Sequence, residues 1–266
     1  MPDAAYVRAR TALLDTLEAL APHLNALVLV GAQAVYLHTG DADLSVAGHT
    51  TDADLAVDPD VVADEPLIGE ALLGAGFRHL EGPGQWLSPQ GVYVDLLVAE
   101  AVGGRRGHRG ADLGPHGRSA ARQVRGLEPS LIDKTRFVIT SMEPDDPRQF
   151  EVSVAGPAAM LVAKVIKITE SAGTKDRLVD KDAADVLRIL RATRTDELAR
   201  RLQRLLTLEI TASVTNEALR DLREFFAAEE SEGVQMAVRN LYPEDPEVIA
   251  ASCVALTVAL LAELSG

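Results

Sequence analysis

Apolar residues recur at intervals of three and four over residues 6–24, with Leu13, Leu14, Leu17 and Leu20 on one side, which predicts an opening helix ended by Pro22 and Asn25. The apolar run 26–30 predicts a short buried strand, and Gly31 and Ala32 behind it begin a second helix. Loop residues follow as far as His49. "TTDADLAVD" predicts the next strand, residues 60–77 a helix ending in "GAG", and "GVYVDLLVAE" a strand that alternates Val92, Val94 and Leu96 with Tyr93, Asp95 and Leu97. "RFVIT" and "FEVSVAG" predict two more strands. Beyond Gly156 the period is helical throughout: "PAAMLVAKVIKITES", "DKDAADVLRILRAT", "TDELARRLQRLLTL", "TNEALRDLREFFAAEE" and the apolar "VIAASCVALTVALLA". Strands mixed with helices, then helices alone, predict an α/β protein of the α+β kind. A mixed sheet with flanking helices would occupy residues 1–155 and a helical bundle residues 156–266.

Composition sharpens this picture in three places. The last apolar run, residues 248–262, lies between Glu247 and Glu263 and is shorter than the roughly 20 residues of a spanning helix, so it is expected to be a buried helix, with no membrane partner. The opening residues carry acids and lack a continuous apolar core, unlike a secretory signal. The single cysteine, Cys253, offers neither a disulfide framework nor a thiolate cluster, and a reducing cytoplasm is the expected location. The formal charge of −14 argues against a protein that coats nucleic acid through its overall charge. Residues 101–126 depart from that balance: six arginines (105, 106, 109, 118, 122, 125) stand against Asp112, a net +5, so the other 240 residues carry −19. Such a run is either a solvated loop or an anion-binding surface.

The candidate chemistry lies in the aspartates. On a strand, Asp52 and Asp54 point the same way and repel unless a cation or full solvation separates them. Asp95 sits within an apolar strand; it either faces water at a sheet edge or shares a cation with the other two. Gly31 permits a tight turn that leaves the amides at a helix start open to a phosphate. Walker, dinucleotide-binding and nucleophile-elbow patterns are absent, and the histidines lack zinc spacing.

In the order Gly31-Ala32, Asp52-Ala53-Asp54, Asp95, the chain resembles the nucleotidyltransferase superfamily that includes DNA polymerase β. "GAQAVYLHTG" followed by "TTDADL" is similar in particular to the AbiEii type of toxin nucleotidyltransferase, as are a lysine in "LVAKVIKI", Lys164, and the charged helix "KDAADVL" with Asp182 and Asp185. The resemblance covers residues 25 to 190. It departs at Ala32, where members commonly carry serine or glycine, and in a longer gap between Gly31 and Asp52.

The resemblance implies a Mg²⁺- or Mn²⁺-dependent transfer of a nucleotide from an NTP to an acceptor. Asp52, Asp54 and Asp95 would be the metal ligands, and Gly31, Ala32, Thr51 and Lys164 would contact the NTP. Asp182 would orient Lys164 or the acceptor. Lys164 is otherwise a snorkelling side chain on an amphipathic helix, with Lys167 one turn on as the other occupant of its role. The implied acceptor is RNA, at the 3′ end of tRNA, gripped by Arg105, Arg106 and Arg109, with the chain as the toxin partner of an antitoxin protein. The overall acidity points instead to a small cationic molecule or a protein hydroxyl, and Ala32 to a nucleotide-binding module without catalysis.

Overall fold

A computed structural model describes residues 4–40, 50–104, 109–171 and 180–265. The chain divides into two compact units, Met1–Ala34 with Gly48–Ala155, and Val35–Ala47 with Gly156–Gly266. The protein is mixed α/β, with eight strands and nine α-helices among the described residues.

In the first unit, helix α1 (Ala4–Ala19) buries Leu13, Leu14 and Leu17. It stops earlier than its apolar period suggests, because Pro22 at the start of the 3₁₀ turn Ala21–Ala26 supplies no amide to continue the ladder. Strand β1 (Leu27–Val30) is buried at every position and leads straight into helix α2 (Gly31–Thr39), whose first residues belong to this unit and whose remainder belongs to the other. Strand β2 (Asp52–Val57) runs antiparallel to β1.

The helix expected over residues 60–77 is a correction: only α3 (Ile68–Gly74) forms. Pro66 disfavours helical backbone at the residue before it. The carbonyls of the preceding stretch are instead taken by side chains: His116 Nε2 lies 2.8 Å from the oxygen of Ala63, and His23 Nε2 lies 2.8 Å from that of Pro66. Two short strands that the Gly- and Pro-rich sequence concealed, β3 (Arg78–His79) and β4 (Gln85–Leu87), come next, followed by β5 (Tyr93–Ala99). The arginine-rich segment is not a loop throughout, since β6 (Arg122–Val124) pairs in parallel with the far end of β5. Strands β7 (Lys134–Thr140) and β8 (Gln149–Ala155) form an antiparallel pair, and β8 runs parallel to β1. The sheet order is β3-β4-β5-β2-β1-β8-β7. β2 and β5 therefore lie inside the sheet, flanked on both sides.

The second unit is helical: α4 (Pro157–Glu170), α5 (Asp180–Ala192), α6 (Thr195–Leu206), α7 (Glu209–Phe226), α8 (Glu232–Asn240) and α9 (Pro246–Glu263). α7 begins before its strongly periodic part, and α8 was not anticipated by the periodicity. The expectation that α9 is buried is corrected. It is 18 residues long with a mean hydropathy of 1.7, long and apolar enough to cross a membrane, yet only 33% of it is buried.

Candidate functional site

The register of the sheet builds the acidic face. Asp54 pairs with Asp95 across the parallel β2–β5 ladder, and Asp52 pairs with Tyr93. Side chains at paired positions share a face, and so do residues two apart, so all three carboxylates and Tyr93 emerge on one side. The opposite side is dry: Ala53, Leu55, Val94 and Leu96 are all fully buried. Because β5 lies between β2 and β4, Asp95 is not at a sheet edge facing water.

Gly31 closes the site from the side of β1. Its φ of +70° belongs to the left-handed region, and a Cβ built there would overlap the Asp54 carboxylate, with Cγ only 2.8 Å away. Glycine is thus required twice, by the turn from strand to helix and by the close approach of Asp54.

The start of β2 is held from behind by a buried chain of hydrogen bonds. Arg10 Nε donates to Gln33 Oε1 at 3.1 Å, and Gln33 Nε2 donates to the backbone oxygens of Asp52 at 3.1 Å and Ala9 at 3.2 Å. Thr50 Oγ1 donates to Asp52 Oδ1 at 2.5 Å. Gln33 and Thr50 are positioning residues that sequence reasoning missed. A polar residue three places into an apolar helix was the available signal for Gln33.

Arg122 is the other missed residue. Its Nη2 donates to Asp95 Oδ2 at 2.7 Å, while its buried Nε has no hydrogen-bond partner. The pairing follows from β6, which sets Arg122 beside Leu97, two residues along from Asp95.

A set of three carboxylates on one face is all-oxygen donor chemistry, and in residue type and backbone position it fits Mg²⁺ or Mn²⁺. As the side chains stand, Asp95 is turned to Arg122 and Asp52 to Thr50. Among the described residues no group of three or more His, Cys, Asp or Glu is gathered to hold an ion. The cation paired with Asp95 is the Arg122 guanidinium.

The other predicted residues are distributed as follows. Ala32 is buried and Thr51 is exposed. Arg105 and Arg106 lie outside the described residues, and Arg109 is exposed. In the second unit Lys164 is not a snorkelling side chain. Its Nζ lies 2.5 Å from Asp182 Oδ1 and 2.7 Å from Asp185 Oδ2, and all three side chains are no more than 6% exposed. Lys167, with its side chain 63% exposed, reaches Asp182 Oδ2 at 2.9 Å. Burial alone would lower the pKa of Lys164, but Asp185 and Asp182 outweigh it and raise the value well above the ordinary lysine range. Burial likewise opposes ionisation of Asp182, yet Lys164 and then Lys167 hold its carboxyl below the usual range. The cluster ties α4 to α5, and Asp180 extends it by accepting two bonds from Arg239 at 2.8 and 2.9 Å.

No family model, curated protein or solved structure matches the chain.

Proposed function

We propose that the chain is a divalent-cation-dependent nucleotidyltransferase with the strand and helix arrangement of the DNA polymerase β superfamily, acting on RNA as the toxin of a toxin–antitoxin pair. The observation that carries this reading is the register of β2 and β5, which aligns Asp52, Asp54 and Asp95 on one face beside the positive-φ Gly31. Asp52 and Asp54 would hold the Mg²⁺ or Mn²⁺ ion that carries the triphosphate, and Asp95 would reach a second. Such ions, when bound, neutralise charge on the attacking and leaving oxygens of an in-line displacement.

The chain's own residues then have distinct tasks. Gly31 lets the first amides of α2 approach a phosphate without an intervening side chain. Arg122, released from Asp95, carries a guanidinium able to pair with a phosphate oxygen. Tyr93, 59% exposed and next to Asp52 in register, offers an aromatic face for a base. Lys164, with its charge matched by two buried carboxylates, acts as a positioning residue for α5, and Lys167 is the lysine with a side chain open to solvent.

The pairing of Asp95 with Arg122 favours a second reading, a nucleotide-binding module without turnover. One experiment separates the two readings and identifies the acceptor. The protein is incubated with each α-labelled NTP and Mg²⁺, in parallel with total RNA, cell protein or small cationic acceptors. Label in RNA supports the proposal, label elsewhere redirects the acceptor, and saturable NTP binding without transfer supports the module.

A further inference from the structure

The second unit leaves one apolar helix face uncovered. α9 turns Ile249, Cys253, Thr257 and Leu260 inward, while Val248, Ala251, Ala255, Val258, Ala259 and Ala262 are exposed. Val248 and Val258 are 55% and 49% exposed, and Tyr242, just ahead of the helix, is 78% exposed. Spacings of three and four place these residues in one stripe along a helix about 27 Å long. At the C-terminal end of the stripe, on one flank, lies a groove of about 330 Å³ floored by Leu206, Leu219, Leu261 and Leu264. Arg220 and Arg223 also line this groove, and neither guanidinium has a polar partner among the described residues.

We infer that this surface docks a second copy of the same chain, with the two α9 helices antiparallel about a two-fold axis near Ala255. The stripe is self-complementary under that operation: Val248 of one copy meets Ala262 of the other, as an isologous contact requires. The alanines allow the close helix approach, about 8 Å, found at small-residue contacts. Charge fixes the direction. A two-fold axis between antiparallel helices sets the same flank of each side by side. Glu247 and Leu261 lie two heptads apart on one flank, so the second copy's Glu247 arrives at the groove where Arg220 and Arg223 stand unpaired. Glu247 is exposed and free to reach them. A parallel pairing would instead set opposite flanks side by side and hold Glu247 at the far end of the helix from the groove.

The other occupant such a helix could suit is a lipid surface. α9 carries no Lys or Arg and the chain has a charge of −14, the opposite of a helix that lies on anionic lipid.

The test is the solution mass of the full chain by light scattering across a concentration series. The parent is expected to reach twice the 28.4 kDa chain mass at high micromolar concentration. Ala255→Glu, which sets two like charges across the axis at an exposed position, should return it to the monomer with an unchanged circular dichroism spectrum and the melting temperature that the parent shows when diluted to monomer. Arg220→Glu with Arg223→Glu should weaken the dimer at least tenfold, and adding Glu247→Arg to that pair should restore it. A parent that stays monomeric at every concentration overturns the inference, as does a dimer indifferent to Ala255→Glu or a charge swap that fails to rescue. Flotation of monomer with phosphatidylglycerol-containing vesicles would overturn it in favour of lipid.

Discussion

Replacing Lys164 with methionine keeps the buried aliphatic stem and removes an ammonium that touches both Asp182 and Asp185. Lys167 still reaches Asp182, but among the described residues no other cation is paired with Asp185, and both carboxylates are about 1% exposed. Removing one partner of a buried ion pair costs about 3–5 kcal/mol, because the remaining charge is left uncompensated. On a unit of this size that is a fall in Tm of roughly 10 °C or more. The sign of the pH response is diagnostic. In the parent, Asp182 ionises below the ordinary carboxylate range, so its contribution is present at neutral pH and is lost as pH falls through that lowered value. In the variant, burial favours the protonated carboxyl, so the deficit relative to parent should shrink as pH falls. Urea unfolding followed by circular dichroism between pH 7.5 and 4.5 measures both quantities. Adding Asp185→Asn to Lys164→Met should recover much of the loss at neutral pH. A single variant within about 1 kcal/mol of parent, or a deficit that grows on acidification, would refute a buried and mutually compensating cluster.

Gly31→Ala should cost at least about 1–2 kcal/mol from its positive φ alone, and should also push Asp54 aside, which thermal melts with and without Mg²⁺ and NTP would show as a lower Tm and a lost ligand shift. Burial, opposed by the hydrogen bond to Pro66 and reinforced by His116, lowers the His23 pKa below 6.5; the folded state then binds fewer protons than the unfolded chain below that value, so Tm should drop as pH falls from 7.5 to 5.5 and drop less in His23→Gln. Burial pushes the Cys253 thiol up to about 12, so it should resist thiol reagents in the native protein and react rapidly in urea.

The elements that sequence pattern reveals well are those whose packing matches a single period. β1, β2 and β5 are legible as apolar or alternating runs, and α5 and α6 as amphipathic stripes, because burial on one face dictates both structure and pattern. Where partners distant in sequence decide the structure, the pattern is silent. The stretch before α3 forgoes helix because His23 and His116, some 40 residues before it and 50 after it, lie within hydrogen-bonding distance of its carbonyls. β3 and β4 are too short for a period to register, and Trp86 is secured from afar by donating to the carbonyl of Ala120 at 3.2 Å. The acidic face was legible in type, since Asp52, Asp54 and Asp95 are all visible as carboxylates at strand positions. Its register, and the arrival of Arg122 on a strand within a glycine- and arginine-rich segment, depend on pairing that no local spacing encodes. Lys164 shows the reverse: its motif was visible, but only packing of α4 against α5 reveals that its charge is matched internally.

The central claim, that Asp52, Asp54 and Asp95 form one metal-dependent transfer site, is tested most directly by single-turnover transfer of an α-labelled nucleotide in the parent and in Asp54→Ala, with Mn²⁺ binding measured on the same two proteins. The account predicts transfer and saturable Mn²⁺ binding in the parent, and loss of both in Asp54→Ala with a metal-free Tm equal to or above the parent's. Transfer near the parent rate in Asp54→Ala, or a parent that neither binds Mn²⁺ nor moves label from any NTP, would contradict it.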